Sequence, residues 1–364
     1  MATEAAPDLT AAFDYPLPTR LIASRPVERR DASRLLALSK RTGEIDDLRF
    51  TDLPGLLSPG DALVLNDTRV FPARLVGRKP TGARAEILLV RPVPADGPPG
   101  DPLAAFRETA PRVWEAIVRP GGKLKPGRTV EVADDLVVEI LDSTPDGARI
   151  VRLAGEGNPW TLIERHGRVP LPPYIERPDD EADRRRYQTV YARETGSVAA
   201  PTAGLHFTPE LLAAVRARGV ETVDVTLHVG VGTFRPVSAE RIDEHRLHAE
   251  AYRVSGASAA ALNAARAAGG RVWAVGTTTC RVLETVADAG GRFREATGWT
   301  DLFIHPPYPF LGVDALLTNF HLPRSSLLML VAALGGTDAV LAAYAHAVAG
   351  GYRFYSYGDA MVVS

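Results

Sequence analysis

One cysteine, Cys280, stands in a chain of 364 residues. An intrachain disulfide framework and a multi-cysteine zinc site are both excluded, and a reducing cytoplasm is the expected compartment. Long apolar runs are missing too: nothing approaches the roughly 18 residues of a membrane span, so no membrane association is expected. The opening MATEAAPDLTAAFDYPL lacks a basic start followed by an apolar stretch. No signal peptide is therefore expected, and residues 1–11 read as a disordered extension. The net charge is only −2, so no global positive field draws the chain onto nucleic acid. Local basic stretches would have to do so. Two exist, RPVERRDASR from Arg25 to Arg34 and the run Arg184, Arg185, Arg186. Absent motifs narrow the field further. Without G-x-G-x-x-G after a strand, a Walker loop or a G-x-S-x-G elbow, Rossmann dehydrogenases, common Rossmann-type methyltransferases, P-loop enzymes and α/β-hydrolases are disfavoured. No repeat with a period of about 20–50 residues is present.

What is present divides in two. From about Gly60 to Gly155, six β-rich runs alternate with turn-rich stretches: ALVLNDTRV, PARLVGRK, RAEILLVRPV, RVWEAIVRPG, RTVEVADDLVVEIL and ARIVRLAG. Six short strands at fairly even spacing predict a small antiparallel β-barrel. From Asn158 onward, helical segments ending at Gly (NPWTLIERHG, TPELLAAVRARG, SAAALNAARAAGG, TTTCRVLETVADAGG, SSLLMLVAALGG, TDAVLAAYAHAVAGG) alternate with strand-like ETVDVTLHVG, RVWAVG, TDLFIH, DALLTNF and YRFYSYG. That pattern predicts an α/β domain with a largely buried mixed sheet. Residues 12–59 are expected to join it together with 156–364, leaving 60–155 as an inserted barrel.

Four stretches carry candidate chemistry. SVAAPTAGLHF, Ser197 to Phe207, is a small, uncharged loop ahead of a helix N-terminus at Thr208-Pro209. Small residues let backbone N–H groups approach a ligand closely. VWAVGTTTCRVLE ends a buried strand at Gly276 and opens a helix with three threonines, a natural place for a carboxylate or phosphate. VDALLTNFHLPRSSLLM puts Asn319, Phe320 and His321 at the end of a strand, where open α/β sheets bind ligands. YSYGD leaves Asp359 available for a ribose or a cationic amine. The His245-Arg-Leu-His248-Ala-Glu250 cluster lacks an obvious third ligand, so no metal site is expected.

Those stretches, with FDYPLPTRLIASRPVERRDASRLL, LNDTRVFPARLVGRK, LPPYIERPDDEADRRRYQTVYARETG, VTLHVGVGTFRPV and HRLHAEAY, together resemble the S-adenosylmethionine:tRNA ribosyltransferase-isomerases of the queuosine pathway. The resemblance runs in order through nearly the whole chain after residue 12. It implies a two-domain monomer with a six-stranded barrel. The implied activity transfers and isomerises the ribosyl moiety of S-adenosylmethionine, as co-substrate, onto 7-aminomethyl-7-deazaguanine (preQ1) at the wobble position of tRNA. The product is epoxyqueuosine-tRNA, with adenine and methionine released and no permanently bound cofactor. Departures from the family pattern fall at Leu247, Ala251, Thr279, Cys280, His305 and Pro307. They leave room for an altered acceptor, for a non-catalytic tRNA-binding relative, or for another S-adenosylmethionine-dependent enzyme.

This chemistry needs a base at the ribose C5′ carbon and an acid or strong donor for departing adenine. His206, His228 and His321 are the candidate catalytic bases, and none is singled out by sequence. Aromatic faces suit the sulfonium: Phe207, Phe234, Phe320 and Tyr355. Thr277, Thr278 and Thr279 suit the methionine carboxylate, and Glu250 or Asp359 its amine. Thr202, Gly204 and Asn319 complete the expected S-adenosylmethionine site. Arg25, Arg29, Arg30 and Arg34, with Asn66, Arg69 and Arg74 of NDTRVFPARL, are expected to contact tRNA.

Overall fold

The computed structural model describes residues 8–94, 101–108, 110–230, 237 and 239–364. Its centre is a nine-stranded mixed sheet. In spatial order the strands are Ala296–Thr300, Glu250–Val254, Glu221–Leu227, Ala62–Asn66, Val272–Val275, Ala315–Asn319, Ala360–Val363, Arg34–Leu38 and Ile45–Arg49. The four from Glu221–Leu227 to Ala315–Asn319 are mutually parallel. Burial of both faces explains their continuous apolar runs: Ala62–Asn66, Val272–Val275 and Ala315–Asn319 are buried at every position. The main helices are Pro209–Ala217, Gly256–Ala267, Thr277–Val286, Ser326–Gly335 and Thr337–Ala349, and the third of them stops at Ala287, short of the expected glycines. Thr208, Ser255 and Ser325 accept hydrogen bonds from the N–H three residues on. No single helix among the described residues is long and apolar enough to cross a membrane.

A closed six-stranded antiparallel barrel forms from Arg74–Arg78, Arg84–Pro92, Val113–Arg119, Thr129–Ala133, Leu136–Ser143 and Arg149–Ala154. The expected number of strands is right but two assignments differ. ALVLN belongs to the main sheet, because both faces of that apolar run need cover. RTVEVADDLVVEIL makes two strands, turning at Asp134-Asp135. A short parallel ladder, Thr68–Val70 with Glu194–Ser197, lies between barrel and sheet.

Two further expectations fail in the main domain. TDLFIH is not a strand. The edge strand is the preceding Ala296–Thr300, and Arg281 takes the carbonyls of Thr300 and Leu302 at 3.1 and 2.9 Å. YRFYSYG is a turn whose backbone bonds go elsewhere: Phe354 N–H donates to Leu21 and Tyr355 N–H to Phe320. Of the predicted extension, residues 1–7 lie outside the described residues. Leu9 bridges Arg241, and Thr10–Phe13 forms a 3-10 turn with Thr10 and Phe13 buried.

Barrel closure rests on a small residue. Only Arg78 and Glu131 are paired across the seam between the first and fourth strands. A Cβ on Gly77 would come within 2.3 Å of the Glu131 carbonyl oxygen. Gly77→Ala is expected to prise this seam apart and cost about 1–3 kcal/mol in chemical denaturation. Unchanged stability would mean that the seam is loose.

Candidate active site

The carboxyl ends of the parallel strands converge on a cavity. It is walled by Ala199 to Ala203, by Val229, by Gly276 to Thr278, by Thr318 to Leu322, by Ser325 and Leu327, and by Tyr174, Tyr355 and Ser356. Gly276 has φ of 91° and its N–H is held by the Leu317 carbonyl, so the strand passes into the helix without a loop. The first amides of that helix therefore lie at the sheet edge, where an anion is favoured. Opposite them Tyr174 stacks on Tyr355 at 4.3 Å and 20°. Tyr355 has φ of 70°, a costly conformation for a non-glycine residue. It is fixed by its N–H bond to Phe320, by the stacking, and by the bond between Tyr174 Oη and Ser356 Oγ.

Asn319 organises the floor. Its Nδ2 donates to His206 Nε2 at 3.2 Å and to the carbonyls of Tyr355 and Asp359. Its Oδ1 is buried and has no hydrogen-bond partner among the described residues. A buried acceptor left open in a cavity wall is a place for a ligand donor. Since His206 Nε2 must accept from Asn319, Nδ1 carries the proton and donates to Ser33 Oγ at 2.8 Å. His206 is thus a neutral brace behind the cavity, with both nitrogens engaged and its ring 4.9 Å from that of Phe50. His321 lines the cavity and shares a 2.7 Å hydrogen bond between Nε2 and Thr318 Oγ1. His228, bonded to Thr68 Oγ1 at 2.8 Å, lines an adjoining cavity.

The cavity wall brings together Thr202, Thr277, Thr278, Asn319, Phe320, His321 and Tyr355. Other predicted residues are placed differently. Phe207 is fully buried against Phe50 and Tyr191. Gly204 allows close packing, since a Cβ there would meet Tyr191 Oη at 2.1 Å. Thr279 Oγ1 is spent on the Val275 carbonyl. Asp359 accepts from the N–H groups of Arg34 and Arg353, so it ties chain segments together instead of binding an amine. Glu250 forms a buried ion pair with Arg281 and accepts from the Gly230 N–H, beside the cavity and not in it. Phe234 lies outside the described residues. Tyr174, Thr318, Ser356 and Arg281 were missed. LPPYIERP belongs to the family resemblance, but nothing local marks Tyr174 as a wall of a site 182 residues away in sequence. Among the described residues no three His, Cys, Asp or Glu side chains converge as a metal site.

The predicted RNA contacts also separate. Asn66 is fully buried and holds the Leu227 backbone at both ends of its amide, so it cannot meet RNA. Arg30 donates to the carbonyls of Leu205 and Arg185, because those turn ends need a donor. Arg34 lies 3.6 Å over Tyr352 and reaches the Gly350 carbonyl. Arg25 and Arg29 stay exposed beside Asp180 and Asp31, and Arg69 is exposed. Arg74 pairs with Glu86 in a cavity of about 670 Å³ between the barrel and residues 168–179. Arg84, Arg119, Arg168 and Arg177 line that cavity too. Its arginine-rich wall suits a polyanion, whereas the strand-end cavity has the polar and aromatic groups of a small-molecule site.

Comparison with known proteins defines the class. Residues 10–363 match the family described as queuosine biosynthesis protein, and the chain belongs to that family. Its members include enzymes named S-adenosylmethionine:tRNA ribosyltransferase-isomerase. One from Symbiobacterium thermophilum is 52% identical over 96% of this chain and 98% of its own length. Another, from Moorella thermoacetica, is 52% identical with the same coverage. The crystal structure of S-adenosylmethionine tRNA ribosyltransferase from Thermotoga maritima is 39% identical, covers 97% of this chain and 100% of its own, and superposes with a TM-score of 0.54. The chain is accordingly an enzyme of the transferase-isomerase class.

Burial lowers the pKa of His206, His228 and His321 from about 6.5 to about 3. All three are neutral at neutral pH. Unfolded, each protonates near its ordinary pKa; folded, each resists until far lower. Their contribution to stability is therefore complete above about pH 6.5 and lost as pH falls toward about 3, at about 2 kcal/mol each by about pH 5. Urea unfolding at neutral pH and about pH 5 checks this. Equal stabilities would mean that these imidazoles are open to solvent.

Proposed function

We propose that this chain catalyses transfer and isomerisation of the ribosyl moiety of S-adenosylmethionine onto preQ1 at the wobble position of tRNA, giving epoxyqueuosine-tRNA and releasing adenine and methionine. One observation carries the proposal: in a member of this family, the strand-end cavity gathers an uncapped helix N-terminus, stacked aromatics, an open buried acceptor and a neutral histidine. In this reading the helix amides with Thr277 and Thr278 take the methionine carboxylate. Tyr355 and Tyr174 face the sulfonium, and Asn319 Oδ1 accepts from a ribose hydroxyl or the amine. His321 receives the proton from C5′, because it lines the cavity while His206 is committed on both nitrogens. The exposed arginines of the larger cavity hold tRNA phosphates. The enzyme works in the cytoplasm as a monomer, with no bound cofactor.

The reaction is tested by mixing protein, S-adenosylmethionine and an anticodon stem-loop bearing preQ1, then following free adenine and RNA mass. Adenine release with a ribosyl-derived mass gain is expected. S-adenosylhomocysteine in place of adenine would sink the proposal. Asn319→Ala should raise KM for S-adenosylmethionine about tenfold or more, since a buried acceptor and the His206 brace go together. Arg84→Glu with Arg119→Glu should weaken RNA binding and flatten its salt dependence by about one to two charges, leaving S-adenosylmethionine affinity unchanged.

A further inference from the structure

Across Val229 from the proposed S-adenosylmethionine site lies a separate cavity of about 230 Å³. One wall is the rim of the barrel, with Arg91, Glu115 and Asp146; the other is the sheet edge, with Glu250, Ala251 and Trp299. Trp299 is 44% exposed, the single aromatic among the exposed large hydrophobic side chains of the described residues. It sits on the outermost strand and pairs across it with Ala251, whose small side chain leaves a recess beside the indole. Arg91, itself paired with Glu115 at 2.7 Å, rests 5.1 Å from the indole centroid. Of the three carboxylates in the lining, Glu115 is paired with Arg91 and Glu250 with Arg281, which leaves Asp146 as the one in no ion pair among the described residues and so available to an N–H donor or a cationic amine.

Building on the proposed function, we propose that this cavity receives the acceptor nucleobase, extruded from a single-stranded RNA loop and stacked on Trp299. A base entering from solvent takes the guanidinium's place on the indole face, and Arg91 turns to the phosphate of the same nucleotide. Asp146 faces the donor edge and the aminomethyl group of the base. Val229 lines both cavities, so it marks the place where the amine of a bound base would reach the ribose.

The test measures binding of the preQ1 stem-loop, and of the same RNA with an abasic wobble position, to wild type, Trp299→Ala and Trp299→Phe. Wild type should prefer the intact RNA on the order of tenfold or more, Trp299→Ala should lose most of that preference, and Trp299→Phe should keep most of it. S-adenosylmethionine affinity should be the same in all three, which also reports that each is folded. Equal affinity of wild type for both RNAs would overturn the subsite, as would a preference undiminished in Trp299→Ala. Absence of adenine release by wild type would overturn the functional proposal instead, and the binding comparison would still decide the subsite.

Discussion

Four parallel strands end on the same side of one sheet, and each polar group exposed there must find a partner. Much of the chain is arranged around that requirement. Asn66 closes the end of one strand onto Leu227, Gly276 bonds to Leu317, and Asn319 ties the last parallel strand to the turn at Tyr355. The residues that satisfy the strand ends also shape the cavity. Asn319 shows the overlap: its amide nitrogen is consumed by structure while its oxygen is left for a ligand.

Helices were legible in the sequence because their signals are local. Thr208-Pro209 opens the helix it is expected to open, and glycine ends most of the runs. The sheet's edges were harder to read. TDLFIH has a strand's composition, but the ladder with the neighbouring strand ends at Thr300, and the carbonyls of Thr300 and Leu302 serve Arg281. YRFYSYG alternates aromatics, yet its backbone is drawn to Leu21 and Phe320, segments that sequence periodicity does not connect.

At the site, residue type was legible and direction was not. Thr277, Asn319 and His321 line the cavity, while Asp359, Thr279 and Asn66 look equally chemical in one dimension and are turned to backbone amides and carbonyls. In the basic run Arg30 is turned to backbone as well, because a guanidinium donates to a turn's carbonyls as readily as to a phosphate. Tyr174 and Trp299 escaped notice because each depends on a partner distant in the chain: Tyr355 for the first, and the barrel rim for the second.

The loopless passage from strand to helix at Gly276 also bears on turnover. Amides fixed at a sheet edge cannot withdraw when no ligand is present, so water must serve them between cycles. A carboxylate arriving there gains only its advantage over that water. Its hold is correspondingly modest, which suits a ligand that is bound and given up in every turnover.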